Sequence, residues 1–214
     1  MVLSAPPRPR LDLIPVLESG DHLTPAEFQR RYELRPDIRH AELIDGVVYV
    51  ASPVRFTHHG TPHGYLIQQL AQHDLAHRGI VHGDNATVRF PDGSEVQPDG
   101  LLRKTPKHGG GSRIRDGYVY GAPELCAEVA ASSVSYDLYE KKELYRRAGV
   151  QEYIVWRIED EAIDWWELRD GEYVPIPAAA DGTIESRVFP GFALHPNDLV
   201  EALSQALEDE LDDD

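Results

Sequence analysis

The amino-acid sequence predicts an α/β fold in which a mixed, largely antiparallel central sheet is flanked by helices. Three observations carry that reading. PELCAEVA, SYDLYEKKELYRRAG and QEYIVWRI follow one another as apolar strand, helix and strand, the pattern of a crossover unit. Asp45-Gly46 and Arg169-Asp170-Gly171 each sit between runs of strand character and mark hairpins. Leu66, Ile67, Leu70, Ala71 and Leu75 recur at helical spacing, so an amphipathic helix supplies one flank.

In chain order, residues 1–23 are proline-rich and weakly patterned, an irregular arm. Thr24 then opens a short helix over PAEFQRRYEL: its hydroxyl suits the N-cap, Pro25 suits the first helical position, and Glu27 completes a capping box. AELIDGVVYV folds back at Asp45-Gly46. The helix of HGYLIQQLAQHDLAH follows and ends by Gly79. IVHGD, ATVRF and EVQPDGLL read as adjacent antiparallel strands. Between the last two, Pro91-Asp92-Gly93 is a turn in which proline presets φ and glycine frees it. RKTPKHGGGSRIRDG is a basic, glycine-rich loop. PELCAEVA is a buried strand and the helix after it stops at Gly149. AIDWWEL and GEYVPI form the second hairpin, and DLVEALSQAL is the last helix. One domain is expected over 24–207, followed by an acidic tail over 208–214.

Composition limits the function classes. A chain of 214 residues can bury a sizeable core without disulfides or a structural metal, and 41% hydrophobic with 27% charged residues excludes a disordered or fibrous protein. No run approaches the ~18 apolar residues of a membrane helix, and prolines stand where a signal peptide would be apolar, so a cytoplasmic protein is expected. Cys126, the single cysteine, lies inside an apolar strand, away from any disulfide or thiol chemistry. A net charge of −16 opposes indiscriminate binding to polyanions.

Asp99 in EVQPDG and Glu128 in ELCAEVA fall on adjoining expected strands and can converge at one sheet edge. Two unit charges 4 Å apart repel by about 4 kcal/mol at an effective dielectric of about 20, a cost that a divalent cation reverses. The pair therefore points to a hard metal, Mg²⁺ or Mn²⁺, with Lys141 near enough to orient water or stabilise a phosphorus centre. The competing reading is a turn aspartate and a satisfied strand ion pair. Asp137, Lys141 and Tyr145 share a helical face, so Lys141 rather than Lys142 should meet the sheet. His59 and His63, like His73 and His77, have ligand-like spacing but no HExxH and no cysteine partners, which argues against zinc. His59 can face phosphate instead, and His73 and His77 are expected in solvent. Asp84 and Asn85 suit a hydrogen-bonded bulge or the lining of the site. Arg103, Lys104, Lys107, His108, Arg113 and Arg115 form a basic cluster that contacts phosphates or is merely solvated. Trp165 and Trp166 alternate, so one of them should point outward and offer a surface to a second copy, a homodimer.

From about Ala41 to Leu199, ELIDG, HGDNATVRF, EVQPDG, HGGGSR, GAPELCAEVAASSVSYDLYEKKELYRRAGVQEYIVWR and VFPGF resemble the successive blocks of the Uma-two family of putative restriction endonucleases, formerly a domain of unknown function, in the PD-(D/E)XK nuclease superfamily. The resemblance implies a restriction-endonuclease-like fold and a metal-dependent endonuclease acting on DNA. Asp99 stands for the aspartate of the PD motif and Glu128 for the acid of the (D/E)XK half-motif. Ala130 occupies the place of the motif lysine, which Lys141 on the next helix is implied to replace, with Lys142 as its near neighbour. Glu42 resembles the family's upstream acid, a further metal ligand. The alternative is a catalytically degenerate scaffold acting through dimerisation or protein binding, which the net charge and Ala130 both favour.

Overall fold

The computed structural model describes residues 15–53 and 55–211. Residues 1–14 of the expected arm and 212–214 of the expected tail lie outside the described residues. Within the arm, Leu17 is buried against Phe28, and His22 bridges Val47. Helix α1 (Pro25–Glu33) begins as the sequence predicts: the Thr24 hydroxyl accepts from the Glu27 amide at 3.3 Å. The Glu27 carboxylate, however, is taken by Arg30 and Arg31 rather than closing a capping box. Strands β1 (Ala41–Ile44) and β2 (Val47–Val50) form the first hairpin, with Asp45 (φ 51°) and Gly46 (φ 79°) both left-handed as a two-residue turn requires.

Helix α2 (Thr61–Ala76) is preceded by a π-turn, Phe56–Gly60, and followed by β3 (Ile80–Asp84), β4 (Val88–Arg89), β5 (Glu95–Val96) and β6 (Gly100–Lys104). Gly100 lets α2 lie close, since a Cβ there would sit 2.6 Å from Leu70 Cδ1. The basic segment is only half a loop. Its second part is a hairpin, β7 (Arg113–Arg115) with β8 (Tyr118–Tyr120). Strand β9 (Leu125–Ala130) leads into α3 (Val134–Tyr136), a second π-turn (Asp137–Lys141) and α4 (Lys142–Ala148), then to β10 (Glu152–Arg157), parallel to β9. Strands β11 (Ala162–Arg169) and β12 (Glu172–Pro175) form the other hairpin. A ribbon of β13 (Ile184–Glu185) and β14 (Ala193–Leu194) precedes α5 (Pro196–Leu211), which carries the helix into the expected acidic tail.

The α/β class is as the sequence predicts, but the strands divide between two six-stranded sheets, β2-β1-β5-β4-β8-β7 and β12-β11-β10-β9-β6-β3. Each is mixed and largely antiparallel, with one parallel pair, β4–β8 and β9–β10 respectively. The expected run of adjacent strands is thereby corrected: β4 and β5 belong to the first sheet, β3 and β6 to the second. The second sheet is covered on both faces. Leu125, Ala127 and Val129 join Leu66, Leu70, Trp156 and Trp165 on one side, while Cys126 and Ala130 join Val96, Tyr145, Tyr153 and Trp166 on the other. Trp165 and Trp166 do alternate, yet both are buried, at 2% and 8% exposure, because alternation exposes a side chain only where one sheet face is bare. The outward tryptophan expected as a dimer surface is absent. His73 is likewise buried, stacked on His77 and packed against Phe189 and Phe192, not turned to solvent. Among the described residues no helix is long and apolar enough to cross a membrane.

Candidate active site

The link from β5 to β6 passes from the first sheet to the second, and it carries Asp99. Glu42 enters from β1, Glu128 from the middle of β9, and Asp137 and Lys141 from the π-turn after β9. All five are buried. The backbone locks Asp99 against β9: Val129 N donates to Asp99 Oδ2 at 2.7 Å, and Asp99 N donates to Glu128 Oε2 at 3.4 Å. Lys141 Nζ lies 3.0 Å from Glu128 Oε1, 3.1 Å from Glu42 Oε1 and 3.9 Å from Asp137 Oδ1. Lys142 instead places its ammonium 3.6 Å above the centre of the Trp166 ring. Lys141 is therefore the lysine of the cluster. Ala130 shares the Glu128 face of β9, and the π-turn after that strand brings the Lys141 ammonium to Glu128.

Hydroxyl and amide donors complete the carboxylates. Tyr145 OH donates to Glu128 Oε1 at 2.8 Å; Gln97 N and Tyr136 OH donate to the two oxygens of Glu42 at 2.8 and 3.0 Å; Ser133 Oγ donates to Asp137 Oδ2. His59, from the first π-turn, faces Asp99 Oδ1 with Nε2 at 3.4 Å and the Val129 carbonyl with Nδ1 at 3.2 Å. Both partners are acceptors, so both nitrogens must carry hydrogen for both contacts to be bonds. The Asp99 bond accordingly raises the His59 pKa against the effect of burial.

The carboxylates do not behave alike. Burial alone would raise each. In Asp99 the His59 contact overcomes it and holds the carboxyl below its ordinary range. In Glu42, Lys141 and His40 overcome it, leaving the carboxyl at about 2. In Glu128 burial wins despite Lys141, and the carboxyl is pushed well up. Burial also raises Asp137 to about 6. Lys141 is held charged, since Glu128, Glu42 and Asp137 outweigh its own burial. Four carboxyl groups thus share one ammonium and the His59 ring, an acidic excess relieved by bound protons or by a cation.

The donor chemistry fits magnesium, which needs only one or two protein carboxylates with water and phosphate completing its shell. Asp99 Oδ1 contacts only His59, and Glu128 Oε2 only the Asp99 amide, among the described residues, so each offers a hard oxygen. Both oxygens of Glu42 are already engaged. No group of three or more His, Cys, Asp and Glu converges as a metal centre among the described residues.

The remaining candidates lie around this cluster or away from it. His63 stacks on His59 with ring centres 5.6 Å apart and points Nε2 at Asp84 Oδ1 (3.2 Å) and the Asp99 carbonyl (3.1 Å). Asn85, left-handed at φ 49°, donates to Asp84 Oδ1 at 2.8 Å. Arg113 and Arg115 are exposed on β7, at the far edge of the first sheet. Four strand spacings separate β7 from β1 and Glu42, about 19 Å. Arg113 donates to the carbonyls of Gly110, Gly111 and Ser112, and Arg115 lies over Tyr120. Arg103 is buried on Ser112 and is structural. Sequence reasoning missed His40, Gln97, Ser133 and Tyr136, and neither π-turn leaves a mark in residue spacing.

The family described as "Putative restriction endonuclease" (Uma2) matches residues 25–197. Among solved structures, a putative nuclease of the DUF820 group from Anabaena variabilis is similar at TM-score 0.64 and 14% identity, covering 85% of this chain and 99% of that one. The type IIG restriction endonuclease BpuSI is similar at TM-score 0.35 and 14% identity, covering 77% of this chain but 18% of that one. No curated protein sequence matches the chain.

Proposed function

The chain belongs to the Uma2 family, and from that premise we propose that it is a magnesium- or manganese-dependent endonuclease hydrolysing phosphodiester bonds of DNA. The observation that carries the proposal is Lys141: a buried ammonium held between Glu128 and Glu42, beside the backbone-locked Asp99. Asp99 and Glu128 would hold the ion. A bound magnesium supplies Lewis-acid activation of the phosphate and a hydroxide nucleophile near neutral pH. His59 keeps Asp99 ionised and presents positive charge to a phosphate oxygen. Lys141 stabilises negative charge developing at the phosphorus centre, an electrostatic role in a site shielded from water. Tyr145 and Tyr136 donate to Glu128 and Glu42 and so fix the two carboxylates that hold the lysine.

The test is cleavage of supercoiled plasmid with Mg²⁺ or Mn²⁺, with chelator as control. Asp99→Asn, Glu128→Gln and Lys141→Met should each abolish nicking that the parent protein performs. Cleavage that survives all three substitutions rejects the site. One observation favours a second reading, a non-catalytic scaffold: Lys141 is only 4% exposed and fully paired, as in a structural ion cluster. Absence of cleavage, together with no change in thermal stability on adding Mg²⁺, would support it.

A further inference from the structure

Beside the acidic cluster lies a groove of about 330 Å³ whose wall includes Tyr32, Arg39, Arg89, Glu95, Gln97 and Tyr118. It adjoins the candidate active site through Gln97, whose backbone amide donates to Glu42 while its side-chain amide donates to Tyr32 OH at 3.0 Å. Glu95 opens β5 and Asp99 lies on the connection that follows that strand, so groove and cluster are positioned together.

Glu95 is 3% exposed, yet its carboxylate is only half used. Oε2 accepts from Arg89 Nε at 2.7 Å and Gln29 Nε2 at 2.9 Å, whereas Oε1 has no hydrogen-bond partner among the described residues and is not sealed from solvent. A buried carboxylate oxygen left open on a cavity wall calls for a donor. Arg89 is equally constrained. Its Nη1 donates to Tyr120 OH at 2.9 Å and its guanidinium lies 4.0 Å over the Tyr118 ring centre, which fixes a flat cationic plane on the wall while Nη2 carries no partner among the described residues. Arg39, exposed at the rim, has no ion pair among the described residues.

A flat stacking plane, one open carboxylate oxygen and a cationic rim match the parts of a nucleotide. We propose that the groove is a nucleobase subsite taking an unpaired base with an exocyclic amino group, adenine or cytosine, from the strand engaged by the cluster. This rests on the nuclease reading. The ring stacks on the outer face of the Arg89 guanidinium, which Tyr118 backs, the amino group donates to Glu95 Oε1, and Arg39 meets the phosphate. Thymine is disfavoured because its O4 would face the carboxylate oxygen.

The experiment measures binding of the full chain to oligo-dC, oligo-dA and oligo-dT of equal length, in chelator and low salt, alongside plasmid cleavage with Mg²⁺. The expected result is that oligo-dC and oligo-dA bind about tenfold tighter than oligo-dT, the lower part of the range for one base contact. Glu95→Gln should erase that preference, since an amide can also donate to O4. Tyr118→Leu, at a half-buried ring that Glu95→Gln leaves untouched, should weaken all three oligonucleotides about tenfold through lost stacking. Equal binding of the three, no binding at all, a preference kept in Glu95→Gln, or affinity unchanged in Tyr118→Leu overturns the subsite. Cleavage without base preference removes the subsite and leaves the nuclease reading standing. Base preference without cleavage keeps the subsite and removes the nuclease.

Discussion

Replacing Lys141 with methionine removes one ammonium from among four buried carboxyl groups. Its partners lie at 3.0 Å (Glu128) and 3.1 Å (Glu42), and all three residues are at most 4% exposed. At an effective dielectric of about 20 the contact with ionised Glu42 is worth about 5 kcal/mol of Coulomb energy, offset by desolvation, and deleting one partner of such a buried pair costs about 3–5 kcal/mol. For a chain of this size that corresponds to a fall in Tm of roughly 6–20 °C. The loss should depend on pH. Glu42 is held at about 2 chiefly by Lys141 against burial, so without the lysine its carboxyl rises and takes a proton in mild acid. The variant should therefore lose most stability at pH 8 and recover much of it at pH 5. Lys142→Met gives up only a cation–π contact over Trp166, about 0.5–1 kcal/mol, with no such pH dependence. Urea denaturation of both variants at the two pH values reads the difference. A Lys141→Met penalty below that of Lys142→Met, or one equal at pH 5 and pH 8, would refute the charge-cluster reasoning.

Magnesium at about 100 times its dissociation constant should stabilise the protein by about 2.7 kcal/mol, read as a thermal shift that Asp99→Asn abolishes. Asp137, raised from 3.8 to about 6 by burial, binds its proton more tightly folded than unfolded; its contribution is present below pH 4 and lost as pH rises through 6. Asp137→Asn should flatten that decline, worth up to about 3 kcal/mol near pH 7 without metal, and a pH–stability curve unchanged by the substitution would contradict it. If β7 meets duplex phosphates, the double variant Arg113→Ala, Arg115→Ala should lower the log–log salt slope of DNA binding by about 0.9 per lost contact while leaving the magnesium shift intact. Since Arg113 is tied to three carbonyls, most of the change should come from Arg115.

Local chemistry was legible from residues alone. Asp45-Gly46 forced a left-handed two-residue turn, Thr24 with Pro25 started a helix, Gly149 ended one, and the unbroken apolar run LCAEVA could only be a buried strand. Asp99 and Glu128 stood out as acids on adjoining, otherwise apolar strands, and the shared face of Asp137, Lys141 and Tyr145 singled out the lysine that meets them. The division of strands between two sheets was not legible, because strand pairing depends on partners far along the chain; β5 carries no local sign that it pairs with β1 and β4 while β6 pairs with β3 and β9. That long-range choice buried both Trp165 and Trp166, which alternation by itself left half exposed. It also decided the protonation of the cluster. Aspartate and glutamate differ little in water, and only the folded packing of His59 on Asp99, Lys141 on Glu42, and burial without full compensation on Glu128 drove their acidities apart.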